Sequence, residues 1–232
     1  MANDLRKSAP AGDVAAFLVK VAAKPQARPA GRRGRLIFSL DATASRQPTW
    51  DRAVAIQTDM FSATDALGGL DVQLLYFRGL GECRASCWYG DGAQLGAAMR
   101  QIHCAAGSTQ IGKVLRHTLD ANAEKRVNAA VYVGDAMEES AEELTGLAGR
   151  LGLLGMPVFV FHEGGDALAG DCFRRIAKLS GGAYCPFDAS SADLLRQLLA
   201  AVAVFAAGGR AALADHSRTA NAAVRRLTAQ LG

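Results

Sequence analysis

The chain has 232 residues, of which 50% are hydrophobic and 21% charged, enough to close a sizeable core and to exclude disorder over most of its length. Its net charge of +4 sits at the ends: residues 1–35 carry +6 and residues 209–232 carry +3, which leaves −5 for the stretch between. A basic protein invites a nucleic-acid partner, but this body is acidic, so both ends read as solvated segments and no nucleic-acid binding is expected. The longest unbroken apolar run, residues 198–207, is about half of the roughly 20 residues a membrane-spanning helix needs, and no membrane association is expected.

Residues 12–23 have a helical period, with Val14, Phe17, Leu18 and Val21 on one face. Residues 24–35 combine Pro25, Pro29, Gly31 and Gly34 with arginines and read as a linker. Residues 36–40 are continuously apolar, the pattern of a strand covered on both faces. A helix is predicted over 48–67 with Pro48 in its first turn. Strands follow at 71–78 and 82–89, and the short Gly79/Gly81 turn permits only an antiparallel pair. Helices are then predicted at 92–103, 110–123, 139–154, 168–179 and 192–207, with strands at 127–133, 157–161 and 183–186. An Ala- and Arg-rich tail over 211–231 reads as one more amphipathic helix, with Leu213, Val224, Leu227 and Leu231 apolar. The alternation predicts a Rossmann-like α/β fold in three layers, with a mainly parallel six-stranded sheet and one antiparallel edge strand. The expected organisation is a basic arm (1–34), one domain (35–207) and a C-terminal helix (208–232).

In an open parallel sheet, ligands bind beyond the carboxyl ends of the strands, where strand order reverses. The first strand is followed by Asp41-Ala42-Thr43-Ala44-Ser45, and the strand at 127–133 by Gly134-Asp135. Gly107-Ser108-Thr109 opens the helix between them. Two carboxylates and several hydroxyls, without thiol or imidazole, suit a hard cation such as Mg²⁺ or Mn²⁺, with Ca²⁺ also compatible. The spacing of two in Asp41-x-Thr43-x-Ser45 lets alternate side chains of an extended turn point the same way. With two negative charges around a dication, the site would still favour an incoming anionic oxygen.

This ordered set resembles the von Willebrand factor type A (VWA) domain family and its metal-ion-dependent adhesion site. Asp41, Thr43 and Ser45 match the first element of that site, Thr109 the second and Asp135 the third. The resemblance covers residues 35–207. It implies a non-enzymatic adaptor or scaffold module whose Mg²⁺ or Mn²⁺ ion, held by those five residues, is completed by a partner protein's Asp or Glu. Two departures are Thr43 where Ser is commoner and Ala136 where Gly often follows the aspartate. Arg46, beside Ser45, would weaken the ion if it points inward.

A second reading makes Asp41 the nucleophile of a haloacid-dehalogenase-like Mg²⁺-dependent phosphatase, which needs a lysine such as Lys113 or Lys178 at the phosphoryl group. His162-Glu163 has no nucleophile in a recognisable relation to it. The cysteines Cys83, Cys87, Cys104, Cys172 and Cys185 are odd in number and widely spaced, and no signal-peptide pattern precedes them. A reduced, cytoplasmic protein is expected.

Overall fold

The computed structural model describes residues 33–187 and 192–231. The helix expected over 12–23 and most of the linker expected over 24–35 lie outside the described residues; Gly34 and Arg35, expected in that linker, instead open the first strand of the sheet. Six strands, β1 (Gly34–Asp41), β2 (Leu70–Arg78), β3 (Glu82–Tyr89), β4 (Ala129–Gly134), β5 (Val158–Glu163) and β6 (Tyr184–Phe187), form one sheet. Their order is β3-β2-β1-β4-β5-β6, parallel throughout except for β3 against β2.

The helices are α1 (Gln47–Ser62), α2 (Gly92–Arg100), α3 (Ile111–Glu124), α4 (Ala141–Leu153), α5 (Ala167–Ser180), α6 (Ala192–Thr219) and α7 (Ala222–Ala229). Every residue of β1, β4 and β5 is buried, because alternate side chains enter two different cores. Leu36, Phe38, Leu40, Val131 and Val133 pack with α1, α2, α6 and α7 through Trp50, Met99, Leu198 and Val224. Ile37, Tyr132, Val158 and Val160 pack with α3, α4 and α5 through Leu115, Leu147 and Phe173.

Among the elements that differ from the sequence reading, three show what shifts them. The helix expected to reach residue 67 ends at Ser62, because the Thr64 hydroxyl donates to Phe61 O (2.8 Å) and starts a separate turn. The helix expected from 139 begins at Ala141, because Ser140 caps it by accepting from the Glu143 amide. Glu139 is thereby free of the helix and stands beside Glu138 in the preceding loop, which matters below. The helix expected to end at 207 continues to Thr219 through a bend at Gly209, whose φ of 75° suits glycine.

By length and composition alone α6 could cross a membrane, but it is more than half buried in the fold. Beyond the bend, Leu213, Val224, Leu227 and Leu231 join the same core as Trp50 and Phe38. The last turn also reaches β6: Gln230 accepts from the Tyr184 amide and donates to its carbonyl, both at 2.9 Å.

Candidate metal centre

β2 leaves β1 towards one side of the sheet and β4 adjoins it on the other, so strand order reverses between β1 and β4. There the loop after β1 faces the loop after β4. The Thr43 amide donates to Asp41 Oδ1 (2.7 Å), and the Arg46 amide donates to Thr43 O (2.9 Å). An Asp-anchored turn thus runs into a 3₁₀ turn over Ala44–Arg46. This corrects the extended-turn expectation: winding of the chain, rather than strand alternation, brings Thr43 and Ser45 together.

Thr109 comes from the segment between α2 and α3. That segment is pinned at three points: Cys104 N to Gln47 Oε1 (3.3 Å), Ala105 N to Ala42 O (3.0 Å) and Ser108 N to Gly79 O (3.2 Å). A Cβ on Gly107 would lie 2.3 Å from the Gly79 backbone, so the approach of loop to turn requires glycine. Gln110 adds donations to the carbonyls of Arg78, Gly79 and Glu82.

Asp41, Thr43, Ser45, Thr109 and Asp135 line a single cleft of about 270 Å³. Thr43 Oγ1 and Ser45 Oγ are 3.5 Å apart, and Ser45 Oγ donates to Asp135 Oδ2 at 3.1 Å. Neighbouring ligands on an octahedral ion with bonds of about 2.1 Å stand about 3 Å apart, so this spacing suits a small hard cation. Asp41 Oδ2 is buried with no hydrogen-bond partner among the described residues. Burial pushes the Asp41 carboxyl up to about 6; the Asp135 charge adds to that shift, and hydrogen bonds from Thr43 oppose it. An orphaned, destabilised carboxylate in an oxygen-lined cleft is what a divalent ion would relieve. Among the described residues no group of three or more His, Cys, Asp or Glu is placed to hold a metal, so an ion here would depend on the hydroxyl oxygens.

Several residues of the site region escaped the sequence reading or were left undecided by it. Glu138 lines the same cleft. Its Oε2 accepts from the Thr109 amide (2.9 Å), while its own amide donates to Thr109 Oγ1 (3.0 Å). Glu139 accepts from the amides of Ile111 and Gly112, the latter at 2.8 Å, and so caps α3 from another loop. Replacing Glu139 with Ala should cost about 1–2 kcal/mol in urea unfolding, the worth of a helix cap.

Arg46 does point inward. It is buried, paired with Glu163, and its Nη1 lies 3.8 Å from Asp135 Oδ2. Thr49 also donates to Glu163. His162, on the opposite face of β5, is 2.9 Å from the Tyr184 hydroxyl and 3.3 Å from Asp135 O, so it braces the Asp135 loop. A larger cleft of about 630 Å³ adjoins the first across Ser45 and Asp135 and is walled by Pro186 and Phe187.

No protein-family model and no curated protein sequence matches this chain. Solved structures do match it. The VWA domain of SpRpn10 aligns with a TM-score of 0.54 and 13% identity, over 77% of this chain and 98% of that one. The vWF domain of the type V pili tip protein Mfa5 from Porphyromonas gingivalis aligns with a TM-score of 0.57 and 9% identity, over 74% of this chain and 96% of that one. The chain has the von Willebrand factor type A fold. Proximal thread matrix protein 1 from the mussel byssus shares this VWA fold, with a TM-score of 0.55 and 15% identity over 74% of this chain. The present chain spans 46% of that protein's length. That protein has also been solved with a zinc-occupied MIDAS motif.

Proposed function

We propose that this VWA domain is a cytosolic protein-binding module, an adaptor or scaffold, whose recognition centre is a Mg²⁺ or Mn²⁺ ion. Thr43, Ser45 and Thr109 would hold the ion directly, with Asp41 and Asp135 supplying charge and orienting ligated water. The ion would supply an open coordination position for an Asp or Glu of the partner. The observation that carries this reading is the convergence of five oxygen-bearing side chains, far apart in sequence, on one cleft with an unpartnered oxygen on Asp41. The adjoining larger cleft supports a protein partner, since it offers room for residues flanking the captured carboxylate. The zinc-occupied motif of the mussel protein supports a divalent ion on this fold, and the all-oxygen donor set favours Mg²⁺ or Mn²⁺. All five cysteines are free, in keeping with a reducing compartment.

The phosphatase reading finds no support in the cleft. None of its lining residues is cationic, and Lys113 Nζ donates instead to Gly81 O and Gln110 Oε1. Thr43 stands where that chemistry needs a general acid.

Calorimetric titration with Mn²⁺ tests the proposal. One ion per chain is expected, weakened by roughly 10–100-fold in Thr109→Val. Acidic peptides from a display library should be retained in Mg²⁺ and released by chelator. Absence of Mn²⁺ uptake by the wild type at millimolar concentrations would overturn the reading.

A further inference from the structure

Tyr132 lies in the middle of β4 and is fully enclosed. Its ring stacks on Phe77 at 6.4 Å and meets Phe173 edge-on at 5.5 Å, so its apolar part is accounted for. Its hydroxyl is not: it is buried and has no hydrogen-bond partner among the described residues. Buried tyrosine hydroxyls find a partner, commonly an ordered water, and an exception calls for an explanation.

The sheet register locates that hydroxyl. Ser39 pairs with Tyr132 and Leu40 with Val133, so Asp41 stands one step further on, beside Gly134. Side chains two apart on a strand share a face, and so do paired residues of parallel neighbours. Asp41, Tyr132 and the vacant side-chain position of Gly134 therefore lie on the α3–α5 face. Tyr132 reaches along that face towards the strand end: a Cβ added to Gly134 would lie 2.4 Å from its hydroxyl oxygen. The hydroxyl thus fills the space that glycine leaves, one residue before Asp135 and level with Asp41. Burial, reinforced by the Asp41 charge, holds the phenol well above its ordinary range, so its proton stays on and it acts as a donor. The two orphaned oxygens, Tyr132 Oη and Asp41 Oδ2, belong to one end of one sheet face.

We infer that Tyr132 is a positioning residue of the ion site, its hydroxyl donating through an interposed water to Asp41 and orienting that carboxylate for a divalent cation. The inference rests on the metal-site reading above. It also gives Gly134 a reason: any side chain there would displace the donor.

Tyr132→Phe keeps the ring and its packing and removes only the hydroxyl. In calorimetric Mn²⁺ titrations of the full chain, the variant should bind about tenfold more weakly than the wild type, the usual scale for a group that acts through a ligand. Its urea midpoint in chelator should change by little, because the ring packing is kept and only one water-mediated hydrogen bond is lost. Equal Mn²⁺ affinity in the two proteins overturns the inference and leaves the metal site standing. A fall in the chelator midpoint large enough to account for the lost affinity overturns it too, since the hydroxyl would then serve only the fold. If the wild type takes up no Mn²⁺, both readings fall.

Discussion

Arg46→Ala is expected to lower the unfolding free energy by about 3–5 kcal/mol, the cost of stranding one member of a buried ion pair. Arg46 and Glu163 are each less than one-tenth exposed, and the guanidinium pairs with Glu163 and approaches Asp135 at 3.8 Å. Without it, Glu163 keeps only the Thr49 hydroxyl as a donor among the described residues, too little for a carboxylate out of water. Urea unfolding measures the loss. Adding Glu163→Gln to the variant should restore most of it, because the amide needs no counter-charge. If Arg46→Ala costs under 1 kcal/mol, the pair is solvated and this account of the β5 end is wrong. The same substitution removes a cation from beside Asp135, so Mn²⁺ affinity in the folded fraction should rise.

Asp41→Asn should move stability and ion binding in opposite directions. Asp41 ionises near 6 in the fold, against an ordinary value of 3.8. Below about pH 4 both folded and unfolded chains carry the proton and nothing is lost. Between about 4 and 6 the folded chain keeps a proton that the unfolded chain releases, so metal-free stability falls as pH rises, then stays level above 6. The shift of about two units corresponds to roughly 3 kcal/mol at neutral pH. Asparagine carries no charge and retains an oxygen for the Thr43 amide, so in chelator the variant should exceed the wild type by up to that amount at pH 7 and match it at pH 4. Mn²⁺ affinity should meanwhile fall at least 100-fold. Equal chelator stability of the two proteins from pH 4 to 7 would mean that the carboxylate is hydrated and costs nothing.

Much of this architecture was legible because burial on two faces writes continuous apolar runs: residues 36–40 and 157–161 could be little else. The short glycine turn at 79–81 likewise settled the antiparallel pairing of β3. Four of the five candidate site residues stood out because oxygen-bearing side chains followed strand ends where such a fold collects ligands, and Thr109 because it opened a helix. What surrounds them was hidden. Glu139 looked like the start of a helix and Glu138 like the loop before it; with the helix capped at Ser140, Glu138 holds Thr109 and Glu139 the α3 terminus. The direction of Arg46 was left open by the sequence, and nothing local says that Glu163, on the strand two places away in the sheet, receives it. Tyr132 read as one more apolar strand residue, since periodicity records which face a side chain takes and not what its far atom meets. Contacts between distant segments have no local signature.

The Gln230 amide, bonded to both backbone groups of Tyr184, imitates a neighbouring peptide unit and terminates the ladder at β6. An incoming strand could therefore not pair with Tyr184 unless Gln230 first let go of it.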